Sequence, residues 1–255
     1  MGSNGMRAKT PADLENMRAG GQRLASILRD LAHGVKPGVR PKELAGLAAQ
    51  QIKKLQMQPV VLGYEGFPDV ICISVNSAIV HGIPSNEPIK DGDVVKLDLT
   101  LGYKGMINDS AVTVIAGASR DADAQRLVKG TKKALEAGIA AVKGEGTRVG
   151  DISQAVQDVL EKKYHLGVIR ELVGHGVGYQ IHESPNIPNY GVAGTGPVLH
   201  AGMTIAIEPM AALGDWHIAF AKDKNTILMK DGSLGAHFEH TVLITEDSAE
   251  ILTLP

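Results

Sequence analysis

Apolar side chains recur at every third or fourth position near the start of the chain, which is the spacing of one face of a helix. In segment 13–33 they are Leu14, Met17, Leu24, Ile27, Leu28 and Leu31. Pro11 just before this segment and Gly34 just after it are common helix boundaries. A second helix is predicted over 41–55, with Leu44, Leu47, Ala48 and Ile52 on one face. The chain therefore begins with two amphipathic helices.

Short apolar, β-branched runs follow these helices and predict extended segments. They are 70–75, 94–101 and 111–115. The order of elements then begins again, with helices predicted over 121–142 and 149–164. The extended segments after them are 172–173, 203–207, 217–221 and 238–245. The pattern predicts two halves of similar αα-ββ order, covering about 6–120 and 121–255.

Short stretches of the two halves also match in sequence. Gly92 to Asp98 resembles Gly202 to Glu208, with the acid six residues after the glycine in both. Asp109 to Val112 likewise matches Glu239 to Val242. A third match joins 35–44 to 142–152. Matches in the same order, two with an acid in register, indicate an internal repeat, and such halves are expected to pair about a pseudo-two-fold axis with a site at the seam.

Five acidic or imidazole side chains lie at the ends of apolar runs. They are Asp98, Asp109, His175, Glu208 and Glu239. Burying an unpaired carboxylate there costs several kcal/mol or more, and a bound cation removes that cost. Four carboxylates and one imidazole, without a thiolate, suit divalent Mn, Fe, Co or Zn rather than a structural zinc site. The five residues are interpreted as one dinuclear metal site, and the chain as a metallohydrolase.

Composition excludes several classes of protein. A formal net charge of −2 and a pI near 6.5 give no sign of nucleic-acid or anionic-membrane binding. No stretch approaches the ~20 apolar residues of a membrane span, and the first residues lack the apolar core of a signal peptide. Cys72 is the only cysteine, so a reducing compartment, the cytoplasm, is expected. Residues 1–5 are interpreted as a remnant of expression cloning.

Several motifs together resemble those of the type I methionine aminopeptidases, which have the pita-bread fold. The motifs are Asn76-x4-His81-Gly82-Ile83-Pro84, Asp98 and Asp109 eleven residues apart, Gly174-His175-Gly176-x-Gly178 followed by His182-Glu183, Ile207-Glu208-Pro209-Met210 and Phe238-Glu239-His240-Thr241. The resemblance implies an α+β fold with two pseudo-symmetric αα-ββ halves around a central antiparallel sheet and helices outside. It also implies a single catalytic domain over 6–255. The absence of an N-terminal zinc-finger-like extension suggests a bacterial-style enzyme.

The resemblance implies a division of the five ligands between two divalent ions, whose identity (Co, Mn, Fe or Zn) the sequence leaves open. Asp109 and Glu239 would bridge the ions, Asp98 would hold one, and His175 with Glu208 the other. Two close cations repel and need bridging anions between them. A water bridging the ions would attack the scissile carbonyl, with Glu208 helping to remove its proton.

The resemblance also assigns roles outside the ligand set. His182 would stabilise the tetrahedral oxyanion, and His81 would contact the scissile amide as a proton donor. Thr100 and His240 would orient ligands. The residues implied to line an apolar slot for methionine are Val61, Tyr64, Phe67, Cys72, Ile181 and Trp216, bordered by His81 and His182.

Two departures from the family pattern are visible. Segment 221–232 is longer than usual, which puts the placement of Trp216 in the slot in question. Asn108 stands beside Asp109 where relatives often have glycine. Neither is expected to abolish catalysis.

The expected activity is removal of the N-terminal methionine from nascent proteins and peptides that have a small second residue. One alternative is an X-Pro aminopeptidase or creatinase-like hydrolase of the same fold. A second is a non-catalytic pita-bread protein that serves as a binding module. A monomer is the simplest expectation, and ribosome association is a hypothesis that no basic patch in the sequence supports.

Overall fold

The computed structural model describes residues 7–118 and 121–255, so the predicted cloning remnant at 1–5 lies outside the described residues. The helices of the repeat are α1 (Pro11–Gly34), α2 (Pro41–Lys54), α3 (Ala122–Ala141) and α4 (Val149–Gln157). The strands before α3 are β1 (Gln58–Pro59), β2 (Cys72–Val75), β3 (Ala78–Val80), β4 (Val94–Tyr103) and β5 (Met106–Ile115). Those after α4 are β6 (Gly167–Val168), β7 (Val173–Gly176), β8 (Glu183–Pro188), β9 (Thr204–Ile207), β10 (Met210–Ala212), β11 (Ile218–Phe220), β12 (Ile227–Met229), β13 (Gly235–His237), β14 (Glu239–Ile244) and β15 (Ala249–Ile251).

An antiparallel sheet of nine strands forms the centre of the molecule. Its strand order is β1-β4-β5-β14-β9-β7-β8, with β2 beside β4 and β15 beside β14. The two halves of the chain meet where β5 pairs with β14, with Glu239 opposite Ala111 and His240 opposite Ser110. The helix α1 packs on β4 and β5, and α3 packs on β5, β9 and β14. The predicted α+β fold, with helices against a central antiparallel sheet, is confirmed.

The second helix of each half begins in the same way, as the sequence repeat predicts. The carboxylate of Glu43 accepts a hydrogen bond of 2.9 Å from the backbone N–H of Arg40 at the start of α2. The carboxylate of Asp151 accepts one of 2.8 Å from the backbone N–H of Arg148 at the start of α4. Both satisfy a donor that a helix start otherwise leaves free. The repeat is therefore present in local structure.

Each half has its own apolar core. In the first, α1 contributes Leu24 and Ile27, which are fully buried together with Leu97 and Leu99 of β4. In the second, the buried residues include Leu127, Ile152, Ile205 and Ile207. Of the six residues predicted on the apolar face of α1, all except the half-buried Leu14 are buried. Burial of this face fixes the helix on the sheet.

Some predicted elements differ from the observed ones. The predicted helix 149–164 ends as regular α-helix at Gln157, and a π-helical turn over Asp158–Lys163 continues it. The strand β8 was not predicted, because its sequence carries two prolines and a serine. The long segment 221–232 contains β12, which pairs with both β11 and β3. In the part of the chain that the structure describes, no helix has the length and apolar content needed to cross a membrane.

Two glycines of the first two helices are expected to respond oppositely to alanine. A Cβ at Gly21 would lie 2.2 Å from the carbonyl oxygen of Leu252, whereas nothing lies within 4 Å of a Cβ at Gly46. We expect Gly21→Ala to lower the free energy of unfolding by about 2–3 kcal/mol through overpacking. Gly46→Ala should raise it by about 0.5–1 kcal/mol through helix propensity. Urea unfolding measures both, and equal effects would contradict the packing of α1 against the C-terminal segment.

Candidate metal centre

Five neighbouring strands of the central sheet carry the five predicted ligands to one cavity. Asp98 lies in β4, Asp109 in β5, Glu239 at the start of β14, His175 in β7, and Glu208 directly after β9. In the sheet these strands follow one another in the order β4-β5-β14-β9-β7. All five side chains line the same cavity of about 350 Å³. The structure therefore brings together residues that are up to 141 positions apart in the chain.

The flanking glycines explain the position of His175. The strand β7 runs between β9 and β8. A Cβ at Gly174 would lie 2.4 Å from the carbonyl oxygen of Ala206, and one at Gly176 would lie 2.5 Å from that of Ser184. Any larger residue would push the neighbouring strands away. The Gly-His-Gly sequence therefore lets β7 sit close to both neighbours and present one imidazole to the cavity.

The geometry of the centre suits cation binding. One ligand atom each from Asp109, His175 and Glu239 lies within 4.8 Å of the other two. Nδ1 of His175 donates a hydrogen bond of 2.9 Å to the carbonyl oxygen of Gly176. Because that bond places the ring proton on Nδ1, the neutral imidazole presents its Nε2 lone pair, which lies 3.3 Å from Oε1 of Glu208. His175 is thus in the tautomer that can bind a metal ion.

The chain itself supplies too little positive charge near the carboxylates of the centre to neutralise them. Burial, reinforced by the carboxylate of Asp109, raises the pKa of Glu208 to about 8, although His175 lowers it. Burial and the neighbouring acids raise the pKa values of Asp98 and Glu239 well above their usual range. Oε1 of Glu239 is buried and has no hydrogen-bond partner among the described residues. Divalent cations would satisfy both the clustered charge and this oxygen, so the donor set fits metal ions.

Contacts from neighbouring residues hold Asp109 in place. Oγ1 of Thr100 donates a hydrogen bond of 2.9 Å to Oδ1 of Asp109. The backbone N–H of Asp109 donates one of 2.8 Å to Oγ1 of Thr241. Thr100 therefore has the orienting contact predicted for it. His240 does not, because it follows Glu239 on the opposite face of β14 and its Nδ1 lies 2.9 Å from Oγ1 of Thr253.

The two predicted outer histidines also line the cavity. The ring centroid of His182 lies 4.5 Å from that of His175, in an edge-to-face arrangement. Nδ1 of His182 lies 3.3 Å from the hydroxyl of Tyr64. Burial, with His175 and His81 as further causes, lowers the pKa of His182 to about 4. At neutral pH His182 is therefore an uncharged hydrogen-bonding group.

The apolar side of the cavity contains five of the six predicted slot residues. Val61, Tyr64, Phe67, Cys72 and Ile181 line it. Val61, Phe67 and Cys72 form a buried cluster, with Ile83 and Ile181 packed against it. Burial, together with nearby carboxylates such as Asp98, raises the pKa of the Cys72 thiol well above its usual range. The Cys72 thiol therefore adds no charge to this apolar cluster.

The structure places Trp216, the sixth predicted slot residue, elsewhere. Among the described residues that line the cavity, Trp216 is not present. Its ring stacks on His217 with a centroid distance of 3.9 Å, and the guanidinium of Arg170 lies 5.6 Å from its ring centroid. The pairing of β11 with β12 directly after it explains this position, because the long segment 221–232 holds that part of the chain against β3.

Asn225 and His237 are among the cavity residues that the sequence reasoning missed. Asn225, in the long segment, lines the cavity beside the predicted substrate residues. His237 lines it too, and burial lowers the pKa of this imidazole to about 4. The sequence did contain a signal for His237. It stands two positions before the candidate ligand Glu239, and residues i and i+2 of an extended chain point to the same face. Asn225 had no such signal.

The other departure, Asn108, lies away from the cavity. Nδ2 of Asn108 donates a hydrogen bond of 3.1 Å to the backbone carbonyl of Met17 in α1. A Cβ at Gly20 would lie 3.0 Å from the same nitrogen. Asn108 therefore attaches β5 to the helix that covers it.

A buried ion pair holds the turn that carries Ile181 and His182. Nζ of Lys9 lies 2.6 Å from Oε2 of Glu183, and the lysine side chain is 1% exposed. Oε1 of Glu183 accepts a hydrogen bond of 3.0 Å from the backbone N–H of Gln180. The carboxylate therefore joins the N-terminal segment to the turn.

We expect Lys9→Met to lower the free energy of unfolding by about 3 kcal/mol, because it leaves Glu183 without its buried partner. Lys42→Met is the matched control. The ion pair of Lys42 with Asp69 is also 2.6 Å long, but the lysine side chain is 54% exposed. Its loss should cost less than about 1 kcal/mol. Urea unfolding compares the variants. Equal losses of free energy of unfolding would show that the buried ion pair contributes no more to stability than the exposed one.

Comparison with known proteins agrees with this arrangement. Residues 15–246 match metallopeptidase family M24. Methionine aminopeptidase 1 of Bacillus subtilis is 42% identical over 245 residues, which are 96% of this chain and 98% of that protein. The crystal structure of the methionine aminopeptidase from Thermotoga maritima has a TM-score of 0.95 at 44% identity and covers 98% of this chain and 100% of that one. A prolidase from Pyrococcus furiosus, at 24% identity and a TM-score of 0.79, shares the fold.

The chain therefore belongs to metallopeptidase family M24. It is similar over nearly its whole length to methionine aminopeptidases, and the predicted resemblance, pita-bread fold and hydrolase class are confirmed.

Proposed function

We propose that this chain is a metal-dependent aminopeptidase that removes the N-terminal methionine from proteins and peptides. The proposal rests on one observation, which is that two different kinds of surface face each other in the same cavity. On one side are five buried residues suited to divalent cations, and on the other is an uncharged apolar slot. An exopeptidase for methionine needs both, because the scissile bond must reach the ions while the apolar side chain is held beside them.

We also propose the division of the ligands that the resemblance implies, and the grouping of Asp109 with His175 and Glu239 supports it. Asp109 and Glu239, whose strands meet at the seam, would bridge two ions. Asp98 would hold one ion, and His175 with Glu208 the other. When bound, the ions supply an activated water and polarise the scissile carbonyl. Which of Co, Mn, Fe and Zn is bound depends on which metal is available, since these ligands bind several of them.

The remaining steps belong to residues of the chain. Glu208 accepts the proton of the attacking water. His182, which is neutral at pH 7, donates a hydrogen bond to the oxygen that becomes negative in the tetrahedral intermediate. His81 contacts the nitrogen of the scissile amide and helps the amine to leave. These roles agree with the positions of all three side chains in the cavity wall.

The apolar side of the cavity sets the specificity in this proposal. Phe67, Cys72 and Ile181 present no charge to the first side chain of the substrate. An apolar slot discriminates between similar side chains by about 1–3 kcal/mol per methylene group. Crowding by Tyr64 and His182 favours a small second residue. Specificity for methionine over leucine is therefore expected to be substantial but finite.

A panel of peptides tests this proposal against its closest rival. After chelation and return of a single divalent metal, the protein is incubated with Met-Ala-Ser, Leu-Ala-Ser and Ala-Pro-Ser. We expect release of methionine at a kcat/KM at least about tenfold above that for leucine, and no release from the proline peptide. Cleavage of Ala-Pro-Ser alone would favour an X-Pro aminopeptidase. Failure to bind metal or to cleave any peptide would favour a binding protein.

The finer statements about partners are also proposals. The substrate is the N-terminus of newly made chains, which places the activity in the cytoplasm. A monomer is the simplest assembly, since all proposed site residues come from one chain. Ribosome association is tested by sedimentation with ribosomes at low salt, where absence of co-migration counts against it.

A further inference from the structure

His237 is a fully buried imidazole that faces the carboxylates of the metal centre. Its Nε2 lies 3.6 Å from Oε2 of Glu208 and 3.9 Å from Oε2 of Glu239. Neither of its ring nitrogens has a hydrogen-bond partner among the described residues. Buried polar groups nearly always have a partner. His237 is therefore expected to serve something in the cavity.

The carboxylate of Glu208 lies between two imidazoles that differ in their surroundings. Oε1 faces Nε2 of His175 at 3.3 Å, and Oε2 faces Nε2 of His237 at 3.6 Å. The hydrogen bond from Nδ1 of His175 to Gly176 leaves the lone pair of its Nε2 free for a cation. His237 has no such bond, so it is free to carry its proton on Nε2 and present it to Glu208.

The backbone fixes the position of the His237 ring. The backbone N–H of His237 donates a hydrogen bond of 2.9 Å to Oγ1 of Thr113, and the same hydroxyl donates one of 2.5 Å to its carbonyl oxygen. On the other side, His237 pairs with Met210 between β13 and β10. The ring is thus held at the seam of two sheets. A movement of a few tenths of an ångström brings Nε2 within the usual ~3.2 Å limit of a hydrogen bond.

We propose that His237 is a positioning residue of the metal centre. Its Nε2–H donates a hydrogen bond to Oε2 of Glu208 and thereby leaves Oε1, on the side of His175, for a metal ion. The inference rests on the proposed function of the five ligands. It explains why Nε2 of this fully buried imidazole has no hydrogen-bond partner among the described residues. It also gives Glu208 a fixed orientation for accepting the proton of the attacking water.

Two substitutions separate donation from mere packing. In His237→Gln the amide keeps an N–H donor at similar reach, whereas His237→Leu fills the space without a donor. Metal is first removed from each protein with a chelator, and Co(II) is then titrated in. The dissociation constant for Co(II) and the visible absorption spectrum are recorded, and kcat and KM are measured for Met-Ala-Ser. We expect His237→Leu to bind Co(II) about 10–100-fold more weakly, as for other residues that orient ligands, and to lose kcat more than KM. His237→Gln should stay within about threefold of the parent in both, with an unchanged spectrum.

Three results would overturn the proposal. Co(II) affinity and kcat that are unchanged in His237→Leu would make the imidazole a packing residue. Equal losses in both variants, with shifted Co(II) bands, would make it a metal ligand instead. A parent protein that binds no Co(II) would remove the metal centre itself, which distinguishes failure of the proposed function from failure of this inference. Thermal melts in chelator verify that both variants fold.

Discussion

Replacement of Asp109 by alanine is expected to lower kcat/KM for methionine release by about 10³-fold or more, which corresponds to about 4 kcal/mol of transition-state stabilisation. Asp109 is the acid whose ligand atom groups with those of both His175 and Glu239. It lies on β5, at the seam with β14 where the halves of the chain meet. In the proposed centre its loss would remove a carboxylate shared by both ions, so the activated water and the polarised carbonyl would both be lost.

Asp109→Asn tests the same point with the shape of the side chain preserved. It keeps one oxygen that can accept from Thr100 but removes the negative charge. Glu250→Gln is the control. Glu250 lies on β15, outside the cavity, and forms a surface ion pair with Arg18 of α1. Its activity should match that of the parent. Near-normal release of methionine by both Asp109 variants would exclude a bridging role for this residue.

Removal of metal is the second change expected to have a large effect, and it acts on stability as well as on activity. A ligand at 1,000 times its dissociation constant stabilises the folded state by about 4 kcal/mol. For a chain of this size, that corresponds to a fall in Tm of roughly 8–16 °C on chelation. The structural reason is the group of buried carboxylates, which repel one another without cations. Calorimetry with chelator, and then with Mn(II) returned, measures the effect.

The stability of the chelated protein is also expected to change with pH, in a direction that follows from the pKa of Glu208. Burial raises the folded-state pKa of Glu208 from 4.5 to about 8. Above pH 6.5, the ordinary pKa of the histidines that burial keeps neutral, the folded state still holds a proton on Glu208 that the unfolded state has lost, so stability falls as pH rises from 6.5 to about 8. Bound cations favour the ionised carboxylate and should abolish the trend. A chelated protein whose Tm rises from pH 6.5 to pH 8, or equals that of the metal-loaded protein, would contradict the electrostatic account of the centre.

The candidate ligands could be picked out from sequence because the spacing of four of them is tied to the repeat. Asp98 and Glu208 stand six residues after matching glycines, and Asp109 and Glu239 begin matching strand segments. Antiparallel pairing then brings these strands side by side. An acid at the end of an apolar run carries its own physical signal, since burial without a partner is costly. Most of the centre was therefore present in local pattern and symmetry.

The parts that were missed depend on long-range packing. The position of Trp216 follows from the pairing of β12 with β3, and these strands lie almost 150 residues apart in the chain. The resemblance implied an orienting role for His240, but neighbouring residues of a strand point to opposite faces, and its Nδ1 lies beside Thr253 instead. Asn225 reaches the cavity only because the long segment folds back over β3. The placements of Trp216 and Asn225 have no local sequence signature, whereas that of His240 follows from the alternation of β14.

The most direct test of a metal-dependent methionine-releasing centre is a titration of the chelated protein with Mn(II) or Co(II), in which bound metal and hydrolysis of Met-Ala-Ser are measured on the same samples. The account predicts no release before metal is added, a rise as metal binds, and a plateau at two ions per chain. Leu-Ala-Ser should remain a poor substrate throughout. Methionine release that persists in excess chelator, or full binding of metal without any release of methionine, would contradict it.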